Sequence, residues 1–227
     1  MDQSTSRVMR YRTPAGPGRA EFEVKRSLFI GSAGAASDAK AAQDFVDAVR
    51  AEFSDATHHA WACRLEPGPQ GTIASSDDGE PGGTAGRPML AVLEGNELAY
   101  AVVVGTRYYG GIKLGAGGLV RAYSQAARLA LAQTPVEERI WHRLAEIDVD
   151  YGVYGALRRA LPPVGVRIEA DRFAERVHLT LAVPYDLVER VEGLLRDLTG
   201  GQVALQACWL GEEGLWASPV VRAGEMG

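Results

Sequence analysis

The clearest pattern of hydrophobic and polar positions lies between residues 143 and 210. Alternating apolar residues predict strands at Ala145–Val149, Val164–Ala170, Val177–Val183 and Val203–Trp209. Apolar residues at helical spacing predict a helix before Pro162 and a longer helix that ends at Gly200. The order β-α-β-β-α-β is that of a ferredoxin-like domain, which we predict for residues 143–210.

The first part of the chain predicts a separate α+β domain over residues 21–134. Short apolar segments indicate strands, and Ser37 is suited to cap a helix that follows it. The unbroken apolar run Leu98–Val104 is typical of a strand buried on both faces. An amphipathic helix starts near Leu119, and a linker is expected near residues 133–144. The polar segments 1–20 and 211–227 are predicted to be flexible tails.

The charge, hydropathy and cysteine content of the chain exclude several classes of protein. The 24 basic and 29 acidic residues give a net charge of −5, so anion binding must depend on a local basic surface. The chain has no apolar stretch of the roughly 20 residues that a membrane span requires, and its beginning has no signal-peptide core. The two cysteines, Cys63 and Cys208, are too few for a disulfide framework. These features predict a reduced, cytoplasmic protein that has no membrane segment.

A first candidate motif is the acidic loop Ser75–Gly86. Its carboxylates Asp77, Asp78 and Glu80 are of the kind that bind a hydrated Mg²⁺. The alternative is that Asp-Gly and Pro-Gly only form turns and that the acids are solvated. His58 is a candidate base or ligand, or equally a hydrogen-bonded partner near this loop.

A second candidate motif, Arg107–Gly118, is rich in glycine and leads into a helix. Backbone N–H groups at a helix start suit a phosphate, basic side chains add charge, and tyrosines stack on bases. The candidate phosphate- or RNA-binding residues are Arg107, Tyr108, Tyr109, Lys113, Gly115, Gly117, Gly118 and Arg121. The segment matches neither the dinucleotide fingerprint nor the Walker sequence. The alternative is that its glycines serve close packing and positive φ angles.

These two motifs resemble the signature of the YigZ/IMPACT family. The similar residues are Ser76–Pro81, Gly83–Pro88, Val103–Val104 and Arg107–Tyr123, within a resemblance that covers about residues 21–132. His58 matches the family's usual histidine, whereas Gly82 and Tyr109 replace a usual serine and phenylalanine. The resemblance implies a ribosomal-protein-S5-domain-2-like N-terminal domain and a second domain similar to the last domain of elongation factor G. It also implies translational regulation, since the eukaryotic relatives act in this way through protein partners.

We therefore expect a non-enzymatic, translation-associated binding protein that contacts RNA, the ribosome or a translation factor, with no cofactor and no metal site. The main alternative is a Mg-assisted phosphotransferase or hydrolase that holds a phosphorylated ligand at Gly115–Gly118. A third possibility is a scaffold in which both loops serve packing alone. We expect Asp77–Gly86 and Arg107–Gly118 to lie side by side. A bound anion would meet the N–H groups of Gly117, Gly118 and Leu119, with Lys113 or Arg121 closing on it.

Overall fold

The computed structural model describes residues 10–68 and 71–217. The chain forms two compact units. The N-terminal unit is Tyr11–Glu137, and the C-terminal unit contains the described residues from Glu138 on, together with Arg10. Among the described residues, no helix is both long enough and apolar enough to cross a membrane.

An antiparallel sheet with helices on both faces forms the N-terminal unit. The elements up to its last helix are β1 (Arg10–Pro14), β2 (Gly18–Val24), β3 (Ser27–Ala35), α1 (Ala39–Glu52), β4 (His58–Arg64), β5 (Ile73–Ser76), α2 (Gly86–Gly95), β6 (Ala101–Tyr108) and α3 (Ala116–Ala132). The sheet has the strand order β2-β3-β6-β4-β5. A two-residue turn at Lys25 and Arg26, both at positive φ, connects β2 to β3.

The central strand β6 is buried on both faces, as its apolar run predicted. Val102 and Val104 pack in a core cluster with residues of α1. Ala101 and Val103 belong to the cluster under α2 and α3. Because successive side chains point to opposite faces, an apolar run is favoured where helices cover both faces. The strand starts three residues later than the predicted run Leu98–Val104 and continues to Tyr108, so that it also contains the buried Thr106 and Arg107.

A ferredoxin-like sheet with two helices forms the C-terminal unit. Its elements are β7 (Val136–Val149, which starts just before the boundary), α4 (Tyr151–Ala160), β8 (Arg167–Phe173), β9 (Val177–Pro184), α5 (Val188–Thr199) and β10 (Trp209–Ala217). Within this unit β7 pairs with β10 and with β9, and β9 pairs with β8; each of these pairs is antiparallel. Val191 and Leu195 of α5 are buried in its core, with Leu187, Leu194 and Leu198 packed against that core. The predicted element order and helix face are confirmed.

Several expected boundaries differ from the structure. From Arg10 on, the segment expected to be an N-terminal tail forms β1 and the start of β2. Its Gly18 lies close to Thr134, since a Cβ at Gly18 would be 2.1 Å from Thr134 Oγ1. Residues 211–217 of the expected C-terminal tail belong to β10. Residues 1–9 and 218–227 lie outside the described residues. The expected linker is instead occupied from Val136 on by the continuous strand β7.

Two local predictions are also corrected. Asp38, rather than Ser37, caps α1, and its side chain accepts a hydrogen bond of 2.8 Å from Ala41 N. The predicted strand Val203–Trp209 starts only at Trp209 and follows a short 3₁₀ turn. Val203 and Leu205 are nevertheless buried, because an irregular segment that packs on the core produces the same alternation.

Candidate functional site

Both candidate motifs meet at the end of the sheet where β6 finishes. The glycine-rich segment leaves β6 at Tyr108 and enters α3 at Ala116, and the acidic loop connects β5 to α2. Arg107 Nη1 donates a 2.7 Å hydrogen bond to Glu80 Oε1. This bond confirms the expected contact between the two segments.

A buried ionic network holds this end of the unit together. The Arg107 and Glu80 side chains are 6% and 4% exposed. Glu80 Oε1 also accepts a 2.7 Å hydrogen bond from the hydroxyl of Tyr123 in α3. Burial and the neighbouring Glu80 carboxylate raise the pKa of Tyr123 above its usual value, so the phenol stays protonated and donates. Glu80 therefore ties the acidic loop to both β6 and α3.

The Arg107 guanidinium packs over the ring of Tyr109. Its guanidinium carbon lies 5.1 Å from the Tyr109 ring centroid and 5.4 Å from that of Phe29. Its Nη2 donates to Ser27 Oγ at 3.3 Å. Arg107 is thus enclosed by protein groups, unlike the exposed Lys113 that follows it in the same motif. Tyr109 itself is 44% exposed.

Asp77 organises the start of α2. Its Oδ1 accepts from Ala85 N at 2.9 Å and Gly86 N at 2.8 Å, and its Oδ2 accepts from Gly83 N at 2.7 Å. Burial alone would raise the pKa of this carboxyl, but the three N–H groups outweigh burial and hold the pKa below its usual value. The negative charge is also favoured at a helix N-terminus.

Asp78 connects the acidic loop to α1 and β4. Its Oδ1 accepts a 2.9 Å bond from Arg50 Nη2, and its Oδ2 accepts from His59 N at 2.6 Å. The Asp78 carbonyl lies 2.8 Å from His58 Nδ1. Because a carbonyl only accepts, the proton is assigned to Nδ1 of His58. His58 thus has the role of a hydrogen-bonded partner of the acidic loop, one of the two alternatives left open by the sequence.

The three carboxylates of the acidic loop each bind different protein groups. Asp77 binds backbone N–H groups, Asp78 binds Arg50 and β4, and Glu80 binds Arg107 and Tyr123. Within residues 10–68 and 71–217, no group of three or more His, Cys, Asp or Glu side chains is arranged to hold a metal ion. The three carboxylates therefore fix the acidic loop to different parts of the unit.

The glycine-rich loop combines close packing with an open helix start. At Gly110 a Cβ would lie 1.8 Å from Arg26 O, so only glycine fits there. Gly115 precedes α3 at φ +73°, and its carbonyl accepts from the N–H groups of Gly118 and Leu119. Two of the three N–H groups that we expected to meet an anion are therefore already bonded, whereas Gly117 is exposed.

The remaining predicted residues differ in exposure. Lys113 and Arg121 are exposed, and a Cβ at Gly117 would lie 3.6 Å from Arg121 Nη1, so the Arg121 guanidinium extends over the first turn of α3. Tyr108 is only half-buried, and its hydroxyl donates to Asp55 Oδ1 at 2.7 Å. This bond raises the pKa of Tyr108.

The sequence prediction missed one residue of this surface, Arg128. It lies seven residues after Arg121, close to two full helical turns, and so shares the same face of α3. A signal was present: the segment Leu98–Val136 contains no Asp or Glu but four basic residues. We define the α3 surface by its exposed members, which are Tyr109, Lys113, Gly117, Arg121 and Arg128.

Comparison with family models matches both units. The model described as the Impact N-terminal domain matches residues 25–131. A second model, described as a domain of unknown function (DUF1949), matches residues 147–202. The first match contains both candidate motifs, and the second lies within the ferredoxin-like unit.

Similar proteins extend over nearly the whole chain. An "IMPACT family member" of Haemophilus influenzae is 34% identical over 203 residues, which is 89% of this chain and 98% of that protein. The "IMPACT family member YigZ" of Escherichia coli is 36% identical over 196 residues, or 86% of this chain and 96% of its own length. A solved structure of a hypothetical protein is 31% identical, with a TM-score of 0.59, and covers 95% of this chain and 99% of that one. The chain belongs to the IMPACT family.

Proposed function

We propose that this chain is a cytoplasmic, translation-associated binding protein whose N-terminal unit contacts single-stranded RNA through the α3 surface. The observation that carries the proposal is a basic, acid-free segment of an otherwise acidic chain, with three of its four cations exposed. The net charge of the chain is −5, yet Leu98–Val136 has no acidic residue. Its one buried cation, Arg107, is neutralised by Glu80, which leaves Lys113, Arg121 and Arg128 exposed.

The arrangement of these groups fits a nucleic-acid strand. Arg121 and Arg128 are about 10.5 Å apart along the axis of α3, since a helix rises 1.5 Å per residue. Lys113 precedes the helix in the adjoining loop. Tyr109 offers one exposed ring face for stacking, and Arg107 holds the ring from the other side. Cations that follow the backbone and an aromatic ring that stacks on a base are the usual elements of single-strand binding.

Magnitudes indicate a weak and salt-sensitive contact. The N-terminus of α3 favours one anion by roughly 0.3–1 kcal/mol at an exposed site. Stacking on one ring adds about 1–3 kcal/mol. Most of the affinity must therefore come from the three side-chain cations, and such affinity falls steeply as salt rises.

The enzymatic alternative receives less support from the geometry. A Mg-assisted phosphotransferase would need Asp77, Asp78 or Glu80 free to coordinate an ion, and each of them is already bonded to separate protein groups. A thermal-shift comparison of nucleotides with and without Mg²⁺ against short RNAs distinguishes the two functions. We expect stabilisation by the RNAs and no Mg²⁺-dependent stabilisation by the nucleotides.

The direct test uses Lys113→Glu and Gly117→Leu in co-sedimentation with purified ribosomes and in binding to a single-stranded RNA oligonucleotide. The first variant reverses a local charge. The second fills the exposed start of α3, where a Cβ meets only Arg121 Nη1 at 3.6 Å, without changing the net charge. We expect both variants to fold and to lose both associations.

Arg190→Glu is the matched control, because it makes the same charge change at an exposed position of α5 in the other unit. It should bind as the unchanged protein does. If Lys113→Glu and Gly117→Leu also bind normally, the loop is structural and the proposal is wrong.

A further inference from the structure

We infer that the outer edge of β5, which pairs with no further strand among the described residues, forms together with the groove between β5 and α2 a docking site for an extended peptide segment of a partner protein. The peptide would add a sixth strand to the N-terminal sheet. This inference is independent of RNA binding, because it concerns the edge of the sheet rather than the α3 surface. It rests on the direction of the backbone groups of β5, on an exposed groove of mixed apolar and polar lining, and on two exposed charged side chains at its ends.

The register of β5 determines which of its backbone groups are free. Leu65 N donates to Thr72 O, so Leu65 and Thr72 form a hydrogen-bonded pair at the start of this ladder. Such pairs alternate with non-hydrogen-bonded pairs in an antiparallel ladder. Ile73 lies opposite Arg64 and Ser75 lies opposite Ala62, one and three positions further on. The N–H and C=O groups of Ile73 and Ser75 therefore point away from β4, where β5 is the last strand of the sheet.

The groove lies on the same side of the sheet as α2. Ala62 belongs to the core cluster under α2 and α3, so Ser75 and Ile73, which share its face, point towards α2. The groove has a volume of about 390 Å³ and is lined by Ile73, Ala74, Ser75, Arg87, Leu90 and Glu94. Ile73 is 48% exposed although it is a large apolar residue. An apolar side chain of an added strand would cover Ile73 and Leu90.

Charges at the two ends of the groove specify the peptide further. Arg87 and Glu94 are exposed, and the Arg87 charge also acts on the Asp77 carboxylate, whose pKa it helps to lower. They are about 10.5 Å apart along α2. Residues i and i+4 of a strand share a face and are about 13 Å apart, so one peptide face spans both charges. Gly86 packs on the backbone of Ser76, which places Arg87 beside the end of β5 and Glu94 towards its start.

Antiparallel pairing, which all neighbours of this sheet use, then fixes the order of side chains in the peptide. The N-terminal side of the peptide lies beside Arg87 and its C-terminal side beside Glu94. The matching segment carries an acidic, an apolar and a basic residue at alternate positions, in that order. Main-chain hydrogen bonds would provide affinity and these three side chains specificity, as in other cases of strand addition.

The probe is a fluorescein-labelled threonine heptapeptide with glutamate, isoleucine and lysine at its second, fourth and sixth positions. Binding is measured by fluorescence anisotropy, and a peptide with glutamate and lysine exchanged is the charge-swapped control. We expect the first peptide to bind more tightly than the second. The double variant Arg87→Glu with Glu94→Lys should reverse this preference. Equal binding of the two peptides to the unchanged protein would overturn the inference.

Ser75→Pro tests the backbone contribution. Proline is tolerated at an edge position whose N–H points outward, so the variant should keep its fold while losing one donor to the peptide. We expect about ten-fold weaker peptide binding, in the range of one lost backbone hydrogen bond. Ser75→Ala keeps the N–H group and should bind as the unchanged protein does. Unchanged binding by Ser75→Pro would refute strand addition.

Three further measurements complete the test. If Ser75→Pro fails to fold, as shown by circular dichroism, the exposed Ile73→Lys replaces it and should weaken binding through loss of the apolar contact. Amide hydrogen exchange at Ile73 and Ser75 should slow when the peptide binds, and unchanged exchange would contradict the inference. A chain that dimerises in light scattering, and becomes monomeric on Ser75→Pro, would assign the edge to a second copy and overturn the partner peptide.

Discussion

Removal of the buried Glu80 carboxylate is the sharpest perturbation of the scaffold beneath the α3 surface. Glu80→Ala leaves the guanidinium of Arg107 at 6% exposure without its charge partner and removes the acceptor of the Tyr123 hydroxyl. Breaking one side of a buried ion pair costs about 3–5 kcal/mol, because the remaining charge stays desolvated. We expect Glu80→Ala to lower the free energy of unfolding by that amount.

Urea denaturation followed by circular dichroism measures this loss. With a slope of about 2 kcal/mol per M, the expected loss lowers the midpoint of the N-terminal unit by about 2 M. Glu94→Ala is the matched control, since this exposed glutamate of α2 makes no ion pair with another described residue, and its effect should stay within about 0.5 kcal/mol. Glu80→Gln keeps an acceptor for Tyr123 and should fall between the two.

A double-mutant cycle separates the ion pair from other effects of the substitution. Combining Glu80→Ala with Arg107→Met removes both charges, and the double variant should be more stable than the sum of the two single losses predicts. Equal stability of Glu80→Ala and Glu94→Ala would refute the assignment of Glu80 as the residue that joins the acidic loop to β6 and α3.

Three further predictions concern the loops and the second core. Asp77 has a lowered pKa, so its stabilising contribution is present above the unfolded value of about 3.9 and is lost as pH falls through the folded value. In pH-dependent unfolding, the difference in stability between the unchanged protein and Asp77→Asn should therefore close below about pH 4. A difference that stays constant with pH would contradict this. Gly110→Ala should lower the melting temperature, because its Cβ would lie 1.8 Å from Arg26 O. Gly82→Ala is the control and should leave the melting temperature unchanged, because its Cβ would have nothing within 4 Å. Equal melting temperatures of the two variants would count against the close approach at Gly110. Leu195→Ala should destabilise the C-terminal unit by about 2–5 kcal/mol in urea denaturation, since Leu195 is fully buried, and a loss below about 1 kcal/mol would show a poorly packed core.

The elements with strong periodicity were predictable from the sequence. Alternation and helical spacing along residues 143–210 are local signals, and they were sufficient for the ferredoxin-like order. The apolar run of β6 indicated burial on both faces for the same reason. By contrast, the glycines and prolines near Gly18 suggested a tail, because composition alone does not distinguish a mobile segment from a turn pressed against Thr134.

The roles within the candidate site depended on long-range pairing. The sequence contained Asp77, Asp78 and Glu80 within four positions, but which of them pairs with Arg107 is decided by the path of the loop. Asp78 lies at φ +48°, which turns its carboxylate towards Arg50 and β4. Arg50 is 28 residues away in the sequence, and no local pattern connects the two.

The salt dependence of RNA affinity tests the central claim most directly. For a single strand, the logarithm of the association constant falls with the logarithm of salt by about 0.7 for each phosphate neutralised. Three exposed cations on the α3 surface therefore predict a slope of about −2 for the unchanged protein. The double variant Lys113→Glu with Arg121→Glu should bind more weakly, with a slope of about −0.7. Equal slopes and equal affinities for the two proteins would contradict the account.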